Sequence, residues 1–230
     1  MKNKGRYIAA VVFGVLTVIW IILVRAVDVQ AIGPENTSIG LSHLNQYIFD
    51  SLGVNMTWYK VTQGLGVLAI LIALLFVLAG VLQFIKKKSV AKINKDLLAL
   101  YGLYVLVICV YILFEAVIVN YRPIIMPDAL HPEASFPSSH TMLVCVVMGS
   151  AAAFVGRHFK RKPLCGVLKI VCVVIIAITV IGRLLSGVHW FSDIIGGILI
   201  SLTLLSLYLG FTKKRRNLSQ RERSLKKKGA

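Results

Sequence analysis

Residues 61–85 read VTQGLGVLAILIALLFVLAGVLQFI, twenty-five positions without a charged side chain. A bilayer core of about 30 Å needs roughly 20 apolar residues in helical form, because every backbone amide must find its partner inside the segment. This stretch is long enough and is read as a membrane span. Working outward, five more qualify, at about 7–24, 97–119, 141–156, 167–185 and 194–211. The fourth in chain order, 141–156, is the shortest and contains Gly149, Ser150 and three alanines. Side chains that small let neighbouring helices approach closely, so this span is predicted at the centre of the bundle.

The rest of the composition agrees. Hydrophobic residues make up 57% of the 230 positions and charged residues 15%, which excludes an ordinary soluble globule. Lys and Arg number 26 against 9 Asp and Glu, a formal charge of +17, so charge and apolar runs must be segregated. Counting Lys169 at the start of the fifth span, twenty-two of the 26 basic residues fall before the first span, between the second and third, between the fourth and fifth, or after the sixth. Only Arg25, Lys60, Arg122 and Arg183 fall on the other side. Cytoplasmic loops retain Lys and Arg, which puts both termini in the cytoplasm. The chain is expected to comprise a six-span membrane domain, 1–212, and a basic cytoplasmic tail, 213–230. That tail is read as a topology signal touching anionic lipid rather than as a nucleic-acid-binding segment. The apolar run behind residues 1–6 is read as a retained anchor rather than a cleaved signal peptide.

In the first outer loop, Leu41, Leu44, Ile48 and Leu52 recur at helical spacing with Ser42, His43, Asn45, Gln46 and Asp50 between them. This predicts a short amphipathic interfacial helix that packs passively rather than gating lipid entry. Cys109, Cys145, Cys165 and Cys172 lie in or beside apolar runs without CxxC or CxxH spacing, and are read as small helix fillers. The expected fold class is all-α: a polytopic membrane protein with six transmembrane helices.

Ionisable groups at span ends stand out, because burying them in a membrane is costly. Arg122 follows the third span, His140 opens the fourth, Arg183 closes the fifth, and His189 with Asp193 opens the sixth. Alternating topology puts all five at the non-cytoplasmic face. Guanidinium forks offer paired donors to phosphate oxygens and repel a cation, so the set suits a tetrahedral anion better than a metal. Ser138, with the backbone amides of Ser139 and His140 at a helix start, would add an anion cradle, a role compatible with capping. His189 and Asp193 are spaced i to i+4 and share a face if the sixth helix includes His189. A carboxylate on one imidazole nitrogen fixes the tautomer and makes the other nitrogen a better nucleophile. His43, His131 and His158 match no pattern and are read as surface residues. Trp58, Tyr59, Trp190 and Phe191 are read as an outer aromatic belt, the last two also as a lining for a lipid path.

Tyr121-Arg122-Pro123, Pro137-Ser138-Ser139-His140, and Gly182-Arg183 followed by Gly187-Val188-His189 and Asp193 together resemble the three-part signature of the PAP2 (type 2 phosphatidic acid phosphatase) superfamily. Across all six spans the chain resembles the small bacterial members, among them phosphatidylglycerophosphate and undecaprenyl-diphosphate phosphatases. The resemblance implies a PAP2-like bundle that hydrolyses a lipid phosphomonoester or diphosphate without a metal or other cofactor. It implies that His189 attacks phosphorus to give a phosphohistidine, that Asp193 orients and charges it, and that His140 protonates the leaving group. Arg122, Arg183, Ser138 and the Ser139–His140 backbone would hold the phosphate, the arginines supplying charge stabilisation that Mg²⁺ provides elsewhere. The implied partners are a lipid phosphate and membrane lipids, with no nucleic acid, and the implied place is the plasma membrane with the site on its outer face. Two positions depart from the family pattern. Glu115 stands where the family usually has Lys, and is expected to pair with Arg122 or Arg183, since an unpaired buried carboxylate is costly. Gly182 stands where Ser is common, which removes a hydroxyl donor. The residues leave open a lipid phosphotransferase, a non-catalytic lipid-phosphate-binding protein, and an anion transporter. The last is disfavoured by the scarcity of polar residues at mid-span.

Overall fold

A computed structural model describes residues 4–159 and 161–228, with side chains described to residue 212. Lys2, Lys160 and the side chains of the basic tail therefore lie outside the described residues. The helices are α1 (Lys4–Ala26), α2 (Ser42–Leu52), α3 (Met56–Lys87), α4 (Lys95–Ala116), α5 (Ser139–His158), α6 (Lys162–Ser186) and α7 (Phe191–Lys228). Six are long and apolar enough to cross a membrane: α1, α3, α4, α5, α6 and the Phe191–Thr212 part of α7. The six spans and the short helix between the first and second of them thus form as the sequence predicts.

Local chemistry sets the helix ends. The Asn55 side chain accepts from the amides of Thr57 and Trp58 to start α3, and Asn94 accepts from the Asp96 amide to start α4. The third span is shorter than its apolar run, ending at Ala116 rather than at 119. Three β-branched residues follow, Val117-Ile118-Val119, whose stiff side chains favour extended backbone. The chain then doubles back, with Tyr121 bridging antiparallel to Ala134, and this fold-back forms one wall of the site.

α5 is central. Half of its apolar stretch is buried, and it packs against α3, α4, α6 and α7, as its small residues predict. One apolar cluster joins Leu100 and Leu103 of α4 to Met142 and Val146 of α5 and Leu204 of α7; another joins Ala69 of α3 to Val147 and Met148 of α5 and Cys172 of α6. Because lipid is as apolar as Leu, close packing holds these helices together more than expulsion of water does. α1 leans on α7 and turns Val11, Val15, Val18 and Ile22 outward, a face suited to acyl chains.

At the end of α5 opposite Ser139, Arg157 clasps three helices. Its Nε lies 3.2 Å from Asp96 of α4, its Nη1 donates to Thr212 of α7 at 3.0 Å, and its Nη2 bonds the Tyr208 hydroxyl. His158 joins the clasp, with Nε2 at 2.9 Å from Asp96 Oδ2, so this histidine has a structural partner. α2 is anchored as well. Asn45 is buried, donates to the Gly40 carbonyl (2.8 Å) and to Ser192 Oγ (3.0 Å), and accepts from the Ser192 amide (3.1 Å). Asp28 accepts from the His43 amide at 2.8 Å, a backbone bond that pulls its carboxyl down to about 2.

Candidate functional site

Three chain segments meet at the rim where α5 begins. The first is the N-terminus of α5. Ser138 is fully buried, its amide donates to the Asp193 carbonyl (3.0 Å), and its Oγ accepts from Thr141 Oγ1 (3.0 Å). The leading amides of a helix have no partner within it, so those of Ser139 and His140 remain free to face an anion.

The second segment is the turn 187–190 between α6 and α7. Gly187 adopts φ +66°, and a methyl group there would run into the backbone of Gly53. His189 therefore lies in the turn and not on the sixth helix: α7 begins at Phe191, and Asp193 Oδ2 caps the turn by accepting the Trp190 amide at 2.9 Å. His189 is 4% exposed. Its Nδ1 stands 3.9 Å from Asp193 Oδ2, beyond hydrogen-bond reach, so the direct bond expected from the spacing is not formed. Ser135 occupies the gap, with Oγ 3.1 Å from His189 Nδ1 and 2.5 Å from Asp193 Oδ2. Asn120 donates to the other carboxylate oxygen at 3.3 Å. His189 Nε2 is buried without a protein partner among the described residues.

The third segment is the fold-back carrying Arg122. Its guanidinium is held by Glu133, with Nε to Oε2 at 3.0 Å, and Nη1 reaches the Val188 carbonyl at 3.4 Å. Arg183, at the end of α6, is 1% exposed, donates from Nη2 to Gln63 Oε1 (3.1 Å) and lies over the Tyr59 ring at 5.2 Å. Its Nε is buried and has no hydrogen-bond partner among the described residues. The two arginines and His140 all act on His189: burial first, then their charge, hold its ring well below the usual imidazole range. The structure thus brings His140, Arg183, His189, Asp193 and Arg122 together with Ser138 and Ser139, all at one end of the bundle. Among the described residues no three His, Cys, Asp or Glu side chains group as metal ligands would.

Two expectations are corrected. Glu115 makes no ion pair among the described residues; it is exposed, so it escapes the desolvation penalty that would force pairing. Glu133 takes that part, because the Tyr121–Ala134 bridge sets it beside Arg122. Trp190 does not belong to an aromatic belt: it is 2% exposed, donates from Nε1 to the Tyr121 carbonyl (2.7 Å) and packs 5.5 Å from Phe49.

Gly182 proves to be a packing requirement. A Cβ at this position would lie 2.7 Å from Thr62 Cγ2 and 2.9 Å from the Trp58 ring, so α3 has closed over the space a serine would use. Restoring the family residue with Gly182→Ser is therefore expected to overpack the α3–α6 contact, at a cost of about 1–3 kcal/mol. A lower thermal midpoint in detergent would show this, and an unchanged midpoint with higher activity would contradict it.

From His140 an apolar groove of about 620 Å³ descends between α3, α4 and α5, bounded by Gln63, Val67 and Val77 on α3 and by Tyr104 and Tyr111 on α4. Gln63 to Val77 is fourteen residues, about 21 Å of helix, or roughly two-thirds of a bilayer core.

The family model of the PAP2 superfamily matches residues 66–217. This chain belongs to the PAP2 superfamily. A curated relative, phosphatidylglycerophosphatase B of Bacillus subtilis (strain 168), is 31% identical over 104 residues, 44% of this chain and 50% of the relative. The match thus spans half the length of that relative. Among solved structures, one described as the first transmembrane PAP2 type phosphatidylglycerolphosphate phosphatase, from Bacillus subtilis, aligns with a TM-score of 0.64 at 22% identity, covering 89% of this chain and 96% of that one. The shared fold and the six apolar helices make this PAP2 protein a multi-pass membrane protein.

Four contributors to the PAP2 site escaped the sequence reading: Ser135, Asn120, Glu133 and Gln63. A signal was present for two of them. Asn120 lies two residues before Arg122 and Ser135 two before Pro137, and in extended chain alternate residues share a face.

The depressed His189 value has a consequence for stability. The unfolded chain binds that proton near pH 6.5 while the folded protein does not, so stability falls as pH drops below about 6.5. Detergent unfolding curves between pH 7 and 5 are expected to show the decline, and His189→Gln to flatten it. An equal slope in both proteins would contradict the assignment.

Proposed function

We propose that this PAP2 protein is a membrane lipid phosphatase that hydrolyses a lipid phosphomonoester or diphosphate through a phosphohistidine on His189. The observation that carries this reading is His189 Nε2, a buried nitrogen without a protein partner among the described residues, in a ring on which both guanidinium groups act together with His140, which lines the groove. The lipid tail lies in the groove and presents its head group to the rim. Nε2 attacks phosphorus in line; the N–P bond forms as the bond to the leaving oxygen breaks, and His140 gives that oxygen a proton. Water then attacks the phosphohistidine, releasing phosphate and returning a proton to His140. Arg122, Arg183, the Ser138 hydroxyl and the amides of Ser139 and His140 bind the phosphoryl oxygens as charge builds up, a contribution of about 10²–10³ in rate for a single well-placed donor.

Two preorganised guanidinium groups supply the positive charge, so the reaction needs no metal. The basic residues flanking the spans support cytoplasmic termini, with 1–212 as the reacting unit, 213–230 as a tail against anionic lipid, and the rim at the outer face. Likeness to a phosphatidylglycerophosphatase makes phosphatidylglycerophosphate the first substrate to test, beside phosphatidic acid and undecaprenyl diphosphate. Phosphate release from at least one of these, unchanged by EDTA, is the expected result. No release from any of them would overturn the reading, and loss with EDTA would overturn its metal-free form.

A further inference from the structure

We infer that Ser135 is a positioning residue of this site: its hydroxyl relays Asp193 to His189 and holds the ring as the Nδ1–H tautomer, leaving Nε2 as the attacking atom. The inference rests on the phosphatase reading for its kinetic part and on geometry for the rest. Asp193 and His189 are too far apart to bond directly, and Ser135 Oγ lies within bonding distance of both. An ionised carboxylate only accepts, so the single hydroxyl proton of Ser135 goes to Asp193 Oδ2. The serine oxygen can then only accept from the ring, and Nδ1 must carry the hydrogen. With one ring proton placed there, the neutral imidazole has its lone pair at Nε2, the atom with no protein partner among the described residues.

The relay is fixed on every side. Ser135 is 2% exposed, so water does not compete, and its amide donates to the Asn120 carbonyl at 2.9 Å. Asn120 and the Trp190 amide hold the two carboxylate oxygens. When Nε2 bonds to phosphorus the ring becomes cationic; Nδ1 keeps its proton, and Asp193 stabilises the charge through the intervening hydroxyl without receiving a proton.

The test is ¹⁵N NMR of the histidine-labelled full chain in detergent, with His189→Gln assigning the signal. The expected spectrum shows His189 as the Nδ1–H tautomer. Finding the Nε2–H tautomer in the unmodified protein would overturn the inference without any variant. Ser135→Ala is expected to mix the tautomers and to lower kcat about 10- to 100-fold with little change in KM, the scale for a group that orients a reacting side chain without touching substrate. Ser135→Thr, which keeps the hydroxyl, should recover both. If Ser135→Ala leaves tautomer and kcat unchanged, the main chain of Ser135, which also favours a protonated ring, does the holding and the hydroxyl relay is wrong. The expected tautomer in a protein that hydrolyses no lipid phosphate would sink the phosphatase reading and leave the relay standing.

Discussion

Replacing His189 with Ala is expected to lower phosphate release by a factor on the order of 10⁶, the scale reached when a covalent nucleophile is removed. Arg122, Arg183 and the amides at the start of α5 would still bind the substrate, so KM should change far less than kcat. The route left is direct attack by water on the lipid phosphate, without the covalent intermediate. Among the described residues the ring's hydrogen bonding is to Ser135 alone, so its loss should not unfold a bundle whose apolar contacts lie elsewhere. Rapid quench with ³²P-labelled substrate gives the second readout: acid-labile label on the unmodified protein and none on His189→Ala. Turnover within tenfold of the unmodified protein would remove His189 from its role.

Asp193→Asn comes next, with an expected loss of about 10⁴ in kcat, the cost of a wrongly held imidazole in an acyl-transfer triad. The Asp193 carboxylate accepts hydrogen bonds from Ser135, Asn120, the Trp190 amide and, at 3.5 Å, the Ser192 hydroxyl. An amide has one oxygen, so its NH₂ must face at least one of these donors. If it faces Ser135 the hydroxyl turns round, donates to the ring and reverses the tautomer, removing the lone pair from Nε2. The fold pays as well, since an unsatisfied buried donor costs about 1–3 kcal/mol. Thermal unfolding should be recorded beside kcat: a full loss of activity with a near-native midpoint supports the orienting role. Activity within tenfold, at any midpoint, would show that the carboxylate is dispensable.

Much of the architecture was legible because membrane helices announce themselves by length and hydropathy, and because Arg122, His140, Arg183 and His189 sit at span ends. What the sequence concealed lies in the chain between spans. The end of α4 at Ala116 depends on where the fold-back begins, and no apolar run marks that point. Glu133 looked like one more acidic residue of a loop until the Tyr121–Ala134 bridge set it against Arg122. The i to i+4 spacing of His189 and Asp193 suggested a direct contact only if both lay on a helix; the turn at Gly187 removes His189 from it and opens the gap that Ser135 fills. Gly182 read as a lost donor because side-chain chemistry shows in a sequence, whereas the nearness of Thr62 does not.

The groove below His140 is lined almost wholly by apolar side chains of the spans, while Arg122, with 18% of its side chain exposed, pairs with the more exposed Glu133. In the reaction we propose, the two products part into different phases: the dephosphorylated lipid dilutes sideways into the bilayer and the phosphate escapes into water. Neither product would stay near the other, so their separation into two phases would disfavour the reverse reaction.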